Sequence, residues 1–123
     1  MNSTHYNILS TLLNTTYAKP SSPSGTRSVT ASYEGDQLVL KFTSVVHFAE
    51  EASLKLQVDR LAEESVQLLS EMLKNLKADF KEAAGETLKV KEVRSTDGVE
   101  LISGLSLRKV AYYRRNHTLQ ISV

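Results

Sequence analysis

The sequence contains no cysteine. Disulfide bonds, thiolate catalysis and cysteine-ligated zinc are therefore excluded. Small secreted domains commonly depend on disulfides for stability, so the lack of cysteine favours a reducing compartment. We therefore expect a cytoplasmic location.

Long apolar runs are also missing. No window approaches the roughly 18 apolar residues that a membrane-spanning helix requires. Residues 1–13 lack the basic start and the apolar stretch of a signal peptide. We expect no contact with a membrane, and we interpret the Asn-x-Ser/Thr triplets at Asn2, Asn14 and Asn116 as chance rather than as glycosylation sites.

Motifs of enzymes and nucleotide-binding proteins are absent as well. The sequence has no GxGxxG, GxxxxGK[ST] or GxSxG segment. The histidines His5, His47 and His117 stand far apart, without the HxxxH or HExxH spacing of a zinc site. The acid pairs at 50–51 and 63–64 would point about 100° apart on a helix, so neither can act as a facing general acid and base. We predict a protein without enzymatic activity that uses neither a metal ion nor a cofactor.

Acidic residues are absent from both ends of the chain. All 14 lie between Glu34 and Glu100, and residues 34–107 carry only nine bases, which gives that stretch a net charge of −5 in a chain whose total is +1. Such segregation can steer a partner or a neighbouring subunit. It can equally reflect basic strands that balance an acidic helix within one fold.

The length of 123 residues suits one domain. Residues 4–17, with Thr4 as N-cap, show the apolar spacing of a helix that would be marginal alone, and residues 18–28 contain both prolines, a glycine and four serines, typical of a linker. We predict a short helix plus arm over residues 1–27 and a single α+β domain over residues 28–123. The helix must lie on its own domain or on another chain, and the sequence leaves both open. Its candidate interaction residues are Tyr6, Leu9, Leu13 and Tyr17.

Residues 28–48 predict a β-hairpin with a defined register. Gly35-Asp36 suits a two-residue type II′ turn, which prefers glycine first. This loop places one apolar set on one face, and a slip of one residue would turn that set towards solvent. The expected pairs are Tyr33 with Leu38, Ala31 with Leu40, and Val29 with Phe42.

Residues 59–84 carry an apolar stripe at helical spacing and predict one long amphipathic helix, with Asp59 as its N-cap. Gly85 is the expected end of the helix. Leu69 and Phe80 are the expected core anchors of the stripe. Residues 49–58 are ambiguous, and we favour a third short strand or an irregular approach to the helix.

Residues 86–123 predict a further set of strands. We expect a strand over residues 86–94, a turn over 95–98 and a short apolar segment over 99–102. A second hairpin is predicted with Asn116-His117 as its loop, which would turn Tyr112 towards the core and Tyr113 to the opposite face. Its expected pairs are Arg114 with Leu119, Tyr112 with Ile121, and Val110 with Val123.

The segment at residues 108–115, RKVAYYRR, is the strongest candidate for an interaction surface. Arginine and tyrosine on a strand are typical of sheets that stack bases and contact phosphates, but one free tyrosine gives little stacking area. Among functional interpretations we therefore favour a charge-paired protein interface over nucleic-acid binding. The segment can equally be a plain exposed sheet face without a partner. The candidate residues are Arg108, Lys109, Tyr113, Arg114 and Arg115.

The general plan resembles the small structural subunits of tailed bacteriophage particles, such as neck, tail-completion or baseplate proteins. The shared features are a cysteine-free α+β core, a Ser/Thr/Pro arm at residues 14–28, and charge segregated between core and ends. The resemblance implies a non-enzymatic assembly subunit of host cytoplasm and virion, with repeated copies joined through arms and sheet edges. We expect protein partners, most simply further copies of the chain. The alternative is a small nucleic-acid-binding or regulatory domain with a basic strand face.

Overall fold

The computed structural model describes residues 1–13, 27–102 and 109–123. They form two helices and a four-stranded antiparallel sheet, which confirms the α+β class. The strand order is β1-β2-β4-β3, so β1 and β3 are the edge strands. In chain order the elements are α1 (Ser3–Leu12), β1 (Arg27–Glu34), β2 (Gln37–Phe48), α2 (Glu51–Ala84), β3 (Lys89–Ile102) and β4 (Lys109–Ser122). Most of the predicted linker, together with Tyr17 and Arg108, lies outside the described residues.

The hairpin of β1 and β2 has the predicted register. The three expected pairs are all present, and the strands meet at Glu34 and Gln37. Gly35 has a φ of +59°, whereas Asp36 has no positive φ, as a type II′ turn requires. The turn therefore fixes which β2 side chains face the helices, and those buried there are Leu38, Leu40, Phe42, Ser44 and Val46.

The long helix begins earlier than the sequence predicts. α2 starts at Glu51, so the strand favoured for residues 49–58 and the N-cap at Asp59 are both wrong. The i, i+4 spacing of Leu54 and Val58 puts them on the buried side, while Leu56 is 71% exposed. With 34 residues, α2 is roughly 51 Å long.

Both ends of α2 are fixed by local contacts. At the start, the Gln57 side-chain amide donates to the His47 carbonyl across 2.8 Å, which ties the first turns to the end of β2. At the other end, Gly85 adopts the left-handed conformation, and its N–H donates to the Lys81 carbonyl across 2.8 Å. The glycine stop predicted at Gly85 is confirmed.

The core lies between the helices and one face of the sheet, which we call the inner face. The C-terminal half of α2 packs with α1 over one end of the sheet, and the N-terminal half covers the other end. Leu69 and Phe80 are buried, as predicted. The buried residues of the first cluster are Leu9, Leu13, Leu38, Leu40, Leu69, Leu76, Phe80, Leu88, Leu119 and Ile121. Those of the second are Val29, Phe42, Val46, Leu61, Ala111 and Tyr113.

Helix α1 lies on its own domain, the first of the two alternatives that the sequence left open. Leu9 and Leu13 are 0% and 2% exposed, so they are core residues of this chain and not the partner contacts predicted for them. The N-cap is Asn2 rather than Thr4, because Asn2 forms a capping box with His5. His5 also packs on Phe80, with 6.0 Å between ring centres, and lies 3.1 Å from the Glu86 carboxylate.

The second half of the sheet differs from the sequence prediction. β3 runs unbroken through the turn predicted at residues 95–98, and β4 runs unbroken through the loop predicted at Asn116-His117. β4 is a central strand, so Asn116 is paired with Lys41 on one side and with Thr96 on the other. Pairing on both sides outweighs the turn preference of an Asn-His dipeptide, because strand preference depends strongly on context. The second hairpin and its three pairs are therefore wrong.

Candidate interaction surfaces

The basic segment is divided between the two faces of the sheet. Consecutive side chains of a strand point to opposite faces. Lys109, Tyr113 and Arg115 belong to the inner face of β4, and Tyr112 and Arg114 belong to the opposite face, which we call the outer face. The sequence therefore places these bases correctly on a strand, but the structure does not bring them together as one patch.

Tyr113 is a core residue and not the free aromatic that the sequence predicts. It is 0% exposed, and its ring packs edge-on against Phe42 with 6.2 Å between ring centres. Its hydroxyl is buried and makes no hydrogen bond of good geometry, although Arg115 and Asp97 lie near it. Burial raises the pKa of Tyr113 above 10.0; Arg115 nearby acts in the opposite direction, and Asp97 adds to the rise. Arg115 itself lies 3.6 Å from the Asp97 carboxylate across the strand pair.

Tyr112 and Arg114 lie on the outer face instead, where Tyr112 is half-buried and Arg114 is exposed. The Arg114 guanidinium lies 5.7 Å from the centre of the Tyr112 ring and 3.4 Å from the Glu100 carboxylate. All three side chains lie on the outer face, where the Arg114 and Glu100 side chains are more than half exposed. An exposed ion pair of this kind contributes little to stability, about 0–1 kcal/mol.

His117 is buried at 2% exposure, although the sequence predicts it in a solvated turn. Its Nδ1 lies 3.1 Å from a Glu92 carboxylate oxygen, and its Nε2 has no hydrogen-bond partner. The imidazole borders a small apolar cavity that Ser65 also lines, but the Ser65 hydroxyl donates to the Ala62 carbonyl across 2.7 Å. The odd-numbered spacing of Ala111, Tyr113, Leu119 and Ile121 in the sequence is the signal that could have placed His117 on the inner face.

The described residues contain neither a metal-binding cluster nor a membrane-spanning helix. In residues 1–13, 27–102 and 109–123, no group of three or more His, Asp or Glu side chains could hold a metal ion. Neither α1 nor α2 is long and apolar enough to cross a membrane.

The outer face is basic. Its exposed bases come from β2, β3 and β4, and Glu100 is the one acid among the side chains described on it. Polar side chains lie between the bases at Thr43, Asn116, Thr118 and Gln120, together with half-buried valines such as Val39 and Val45. The exposed bases are Lys41, Lys89, Lys91, Arg94 and Arg114.

The edge strand β3 is the most exposed element of the sheet. Val90 and Ile102 are half-buried, and the eleven residues between them are all exposed. One side of β3 pairs with β4, and no strand pairs with the other side in the described part of the chain. Two apolar side chains of its inner face, Val99 and Leu101, are 42% and 65% exposed because the helices do not cover them.

β3 also contains a β-bulge. Glu92 pairs with Leu119 and Arg94 with Thr118, so Val93 is the extra residue. The bulge shifts the alternation of side chains by one. Before it, Val90 and Glu92 belong to the inner face, and after it the inner face has Ser95, Asp97, Val99 and Leu101.

Of the other candidate interaction residues, Tyr6 is half-buried and Lys109 is exposed. The sequence does not indicate β3 as a surface, because residues 86–94 favour a strand, residues 95–98 a turn and residues 99–102 a short apolar segment.

Comparison of the chain with known protein families, with curated proteins and with solved structures found no match.

Proposed function

We propose that this protein is a non-enzymatic assembly subunit that joins its neighbours through the free edge of β3. The observation that carries the proposal is an edge strand of 14 residues that is exposed on both faces. The unpaired N–H and C=O groups of such an edge are a template for another strand. Exposed apolar side chains beside it, at Val99 and Leu101, add area that a partner would cover.

The two halves of β3 differ in how well they resist unwanted pairing. Natural edges are protected by lysines and by bulges that twist the strand. Residues 89–94 have both, with two lysines, an arginine and the bulge at Val93. Residues 95–102 have neither, which makes this half the better site for a partner. The resemblance to small subunits of tailed bacteriophage particles suggests a virion as the setting for such contacts.

The test is the size of the species that contains the chain in a native extract of the cells that produce it. The variant Val99→Glu/Leu101→Glu places negative charge on the exposed inner face of β3, in the half of the strand that is already acidic. We expect the wild-type chain in a species heavier than its own 13.7 kDa and the variant in a lighter one. The variant should remain folded, because neither side chain is buried.

The matched control is Leu56→Glu/Val66→Glu on α2, where the wild-type side chains are 71% and 44% exposed. It adds the same charge to an apolar surface away from β3, so it should assemble like the wild type. A wild-type chain that migrates as a monomer in the extract, or two double variants that behave alike, would contradict the proposal.

Nucleic-acid binding is a second candidate, and the basic outer face favours it. Neutralising phosphates releases counterions, so binding to random single-stranded RNA or DNA would weaken steeply with salt. Lys41→Ser/Arg114→Ser would remove that binding, whereas Lys74→Ser/Lys77→Ser on α2 would not. Among the described side chains, this face carries two aromatic rings, those of Tyr112 and His47. They offer a small area for base stacking, and we therefore rank this function second.

A further inference from the structure

We propose that two copies of this chain pair antiparallel through β3 around a two-fold axis at Thr96, so that Lys91 of each copy lies opposite Glu100 of the other. The two sheets then form one sheet of eight strands. This inference rests on the proposed function, since it names a second copy as the partner of the β3 edge.

The charges along β3 favour pairing with itself. Residues 89–94 carry three bases and one acid, and residues 95–102 carry two acids and no base. An antiparallel pair of identical strands brings the positive half of each copy against the negative half of the other. A parallel pair would align like charges. Such a contact is isologous, and it closes as a dimer.

The bulge restricts the register of this pair. In one continuous sheet, directly opposed residues must point to the same face. Val93 is the extra residue of β3 in its pairing with β4, and we place it as the extra residue in the pairing with the second copy as well. Each residue before Val93 then lies opposite a residue that follows Val93 in the other copy, and the two point to the same face. Around an axis at Thr96, the outer-face pairs are Lys89 with Ile102, Lys91 with Glu100, Arg94 with Gly98, and Thr96 with itself. The inner-face pairs are Val90 with Leu101, Glu92 with Val99, and Ser95 with Asp97.

The two neighbouring registers are less favourable. An axis at Ser95 would place Glu92 opposite Asp97, and an axis at Asp97 would place that carboxylate opposite itself. Like charges directly opposed across strands are destabilising. The Thr96 axis avoids both and gains an apolar pair, Val90 with Leu101, that covers the most exposed apolar side chain of β3.

The intramolecular contacts of β3 are compatible with this pairing. Glu100 lies 3.4 Å from Arg114 of its own chain through one carboxylate oxygen, and it is exposed enough to take a second base. Gly98, which would lie opposite Arg94, has no heavy atom within 4 Å of the position of a Cβ, so the long arginine side chain has room there.

Cysteine cross-linking tests the axis directly, because the natural chain has no cysteine. Directly opposed Cα atoms lie about 4.5–5.5 Å apart, within the 4.4–6.8 Å that a disulfide spans. We expect purified Thr96→Cys to form a covalent dimer on mild oxidation. Thr30→Cys, an exposed position on the other edge strand, is the control and should remain monomeric under denaturing conditions.

A charge exchange tests the register. Lys91→Glu and Glu100→Lys should each weaken the dimer by about tenfold, since each creates two like-charge pairs per dimer. The double variant Lys91→Glu/Glu100→Lys should restore the wild-type dissociation constant, measured by analytical ultracentrifugation. Ser95→Cys cross-linking faster than Thr96→Cys, or a double variant weaker than either single variant, would overturn the register.

A purified wild-type chain that remains monomeric at its highest soluble concentration, together with a Thr96→Cys variant that cross-links no faster than Thr30→Cys, would overturn the self-pairing. That result would leave the proposed function standing if the chain still occurs in a heavier species in the native extract. If the wild-type chain occurs in no heavier species in the native extract, the proposed function itself is contradicted.

Discussion

At the scale of single residues, the buried polar atoms of β4 are the least expected feature. Tyr113, Asn116 and His117 each hold a side-chain polar atom without a hydrogen-bond partner, and Arg115 buries its Nε in the same way. A buried polar group without a partner costs about 1–3 kcal/mol. These residues are tolerated because their larger parts pack or pair, as the Tyr113 ring does on Phe42.

The first prediction concerns the hydroxyl of Tyr113. Tyr113→Phe should change the free energy of unfolding at neutral pH by less than about 1 kcal/mol, or raise it, since the buried hydroxyl makes no hydrogen bond of good geometry. The folded chain holds this proton more tightly than the unfolded chain, whose pKa is 10.0. The stability of the wild type is therefore complete below that pH and falls as the pH rises through the higher folded-state value.

Chemical denaturation at a series of alkaline pH values measures this effect. Tyr113→Phe should lose less stability above pH 10.0 than the wild type does. Tyr112→Phe, on the outer face, is the control for the removal of a tyrosine hydroxyl outside the core. A Tyr113→Phe variant that is several kcal/mol less stable at neutral pH would show that the hydroxyl has a partner.

At the scale of elements, α2 shows how a helix end is encoded. Gly85 has a φ of +73°, a conformation in which a Cβ is unfavourable. The same residue donates to Lys81, so the stop of the helix depends on one backbone conformation and one hydrogen bond.

The second prediction compares two glycines. Gly85→Ala should destabilise the protein by about 1 kcal/mol, because alanine is strained at positive φ. Gly98→Ala is the matched control, since Gly98 lies in an extended strand without positive φ and with open space at its Cβ. It should be neutral or stabilising by up to about 1 kcal/mol, from the reduced freedom of the unfolded chain. Equal losses in thermal denaturation for the two variants would contradict the assigned conformations.

At the scale of the whole molecule, α1 closes the core. Leu9 and Leu13 pack in the same cluster as Leu76 and Phe80 of α2, so the N-terminal segment is part of the folded unit. A helix of 10 residues is too short to be stable alone. Its stability must come from this contact.

The third prediction follows from that packing. Leu9→Ala should lower the free energy of unfolding by about 2–5 kcal/mol, the usual cost of truncating a buried leucine. Removal of residues 1–13 should lower it further, because it uncovers the apolar side chains beneath α1. Thr4→Ala, at an exposed position of the same helix, should have little effect. A loss for Leu9→Ala as small as that for Thr4→Ala would mean that α1 leaves the core in solution.

The sequence by itself determined the elements that depend on local chemistry. The Gly35-Asp36 turn and the alternation around it fixed the register of β1 and β2, because a shift of one residue exposes every apolar side chain. The apolar stripe of residues 59–84 determined the buried face of α2, because a helix repeats its contacts within a few residues. Gly85 determined the end of the helix.

Only the tertiary structure decided the second half of the sheet. Asn116-His117 and residues 95–98 favour turns by local preference, yet both continue as strands. A local preference is worth at most about 1 kcal/mol per residue. The central position of β4, with a partner strand on each side, supplies hydrogen bonds along its whole length that no short window of sequence reveals. The continuation of β4 through Asn116-His117 exchanged Tyr112 and Tyr113 between the faces and divided the basic segment. The continuation of β3 through residues 95–98 made it a long edge strand of the described sheet.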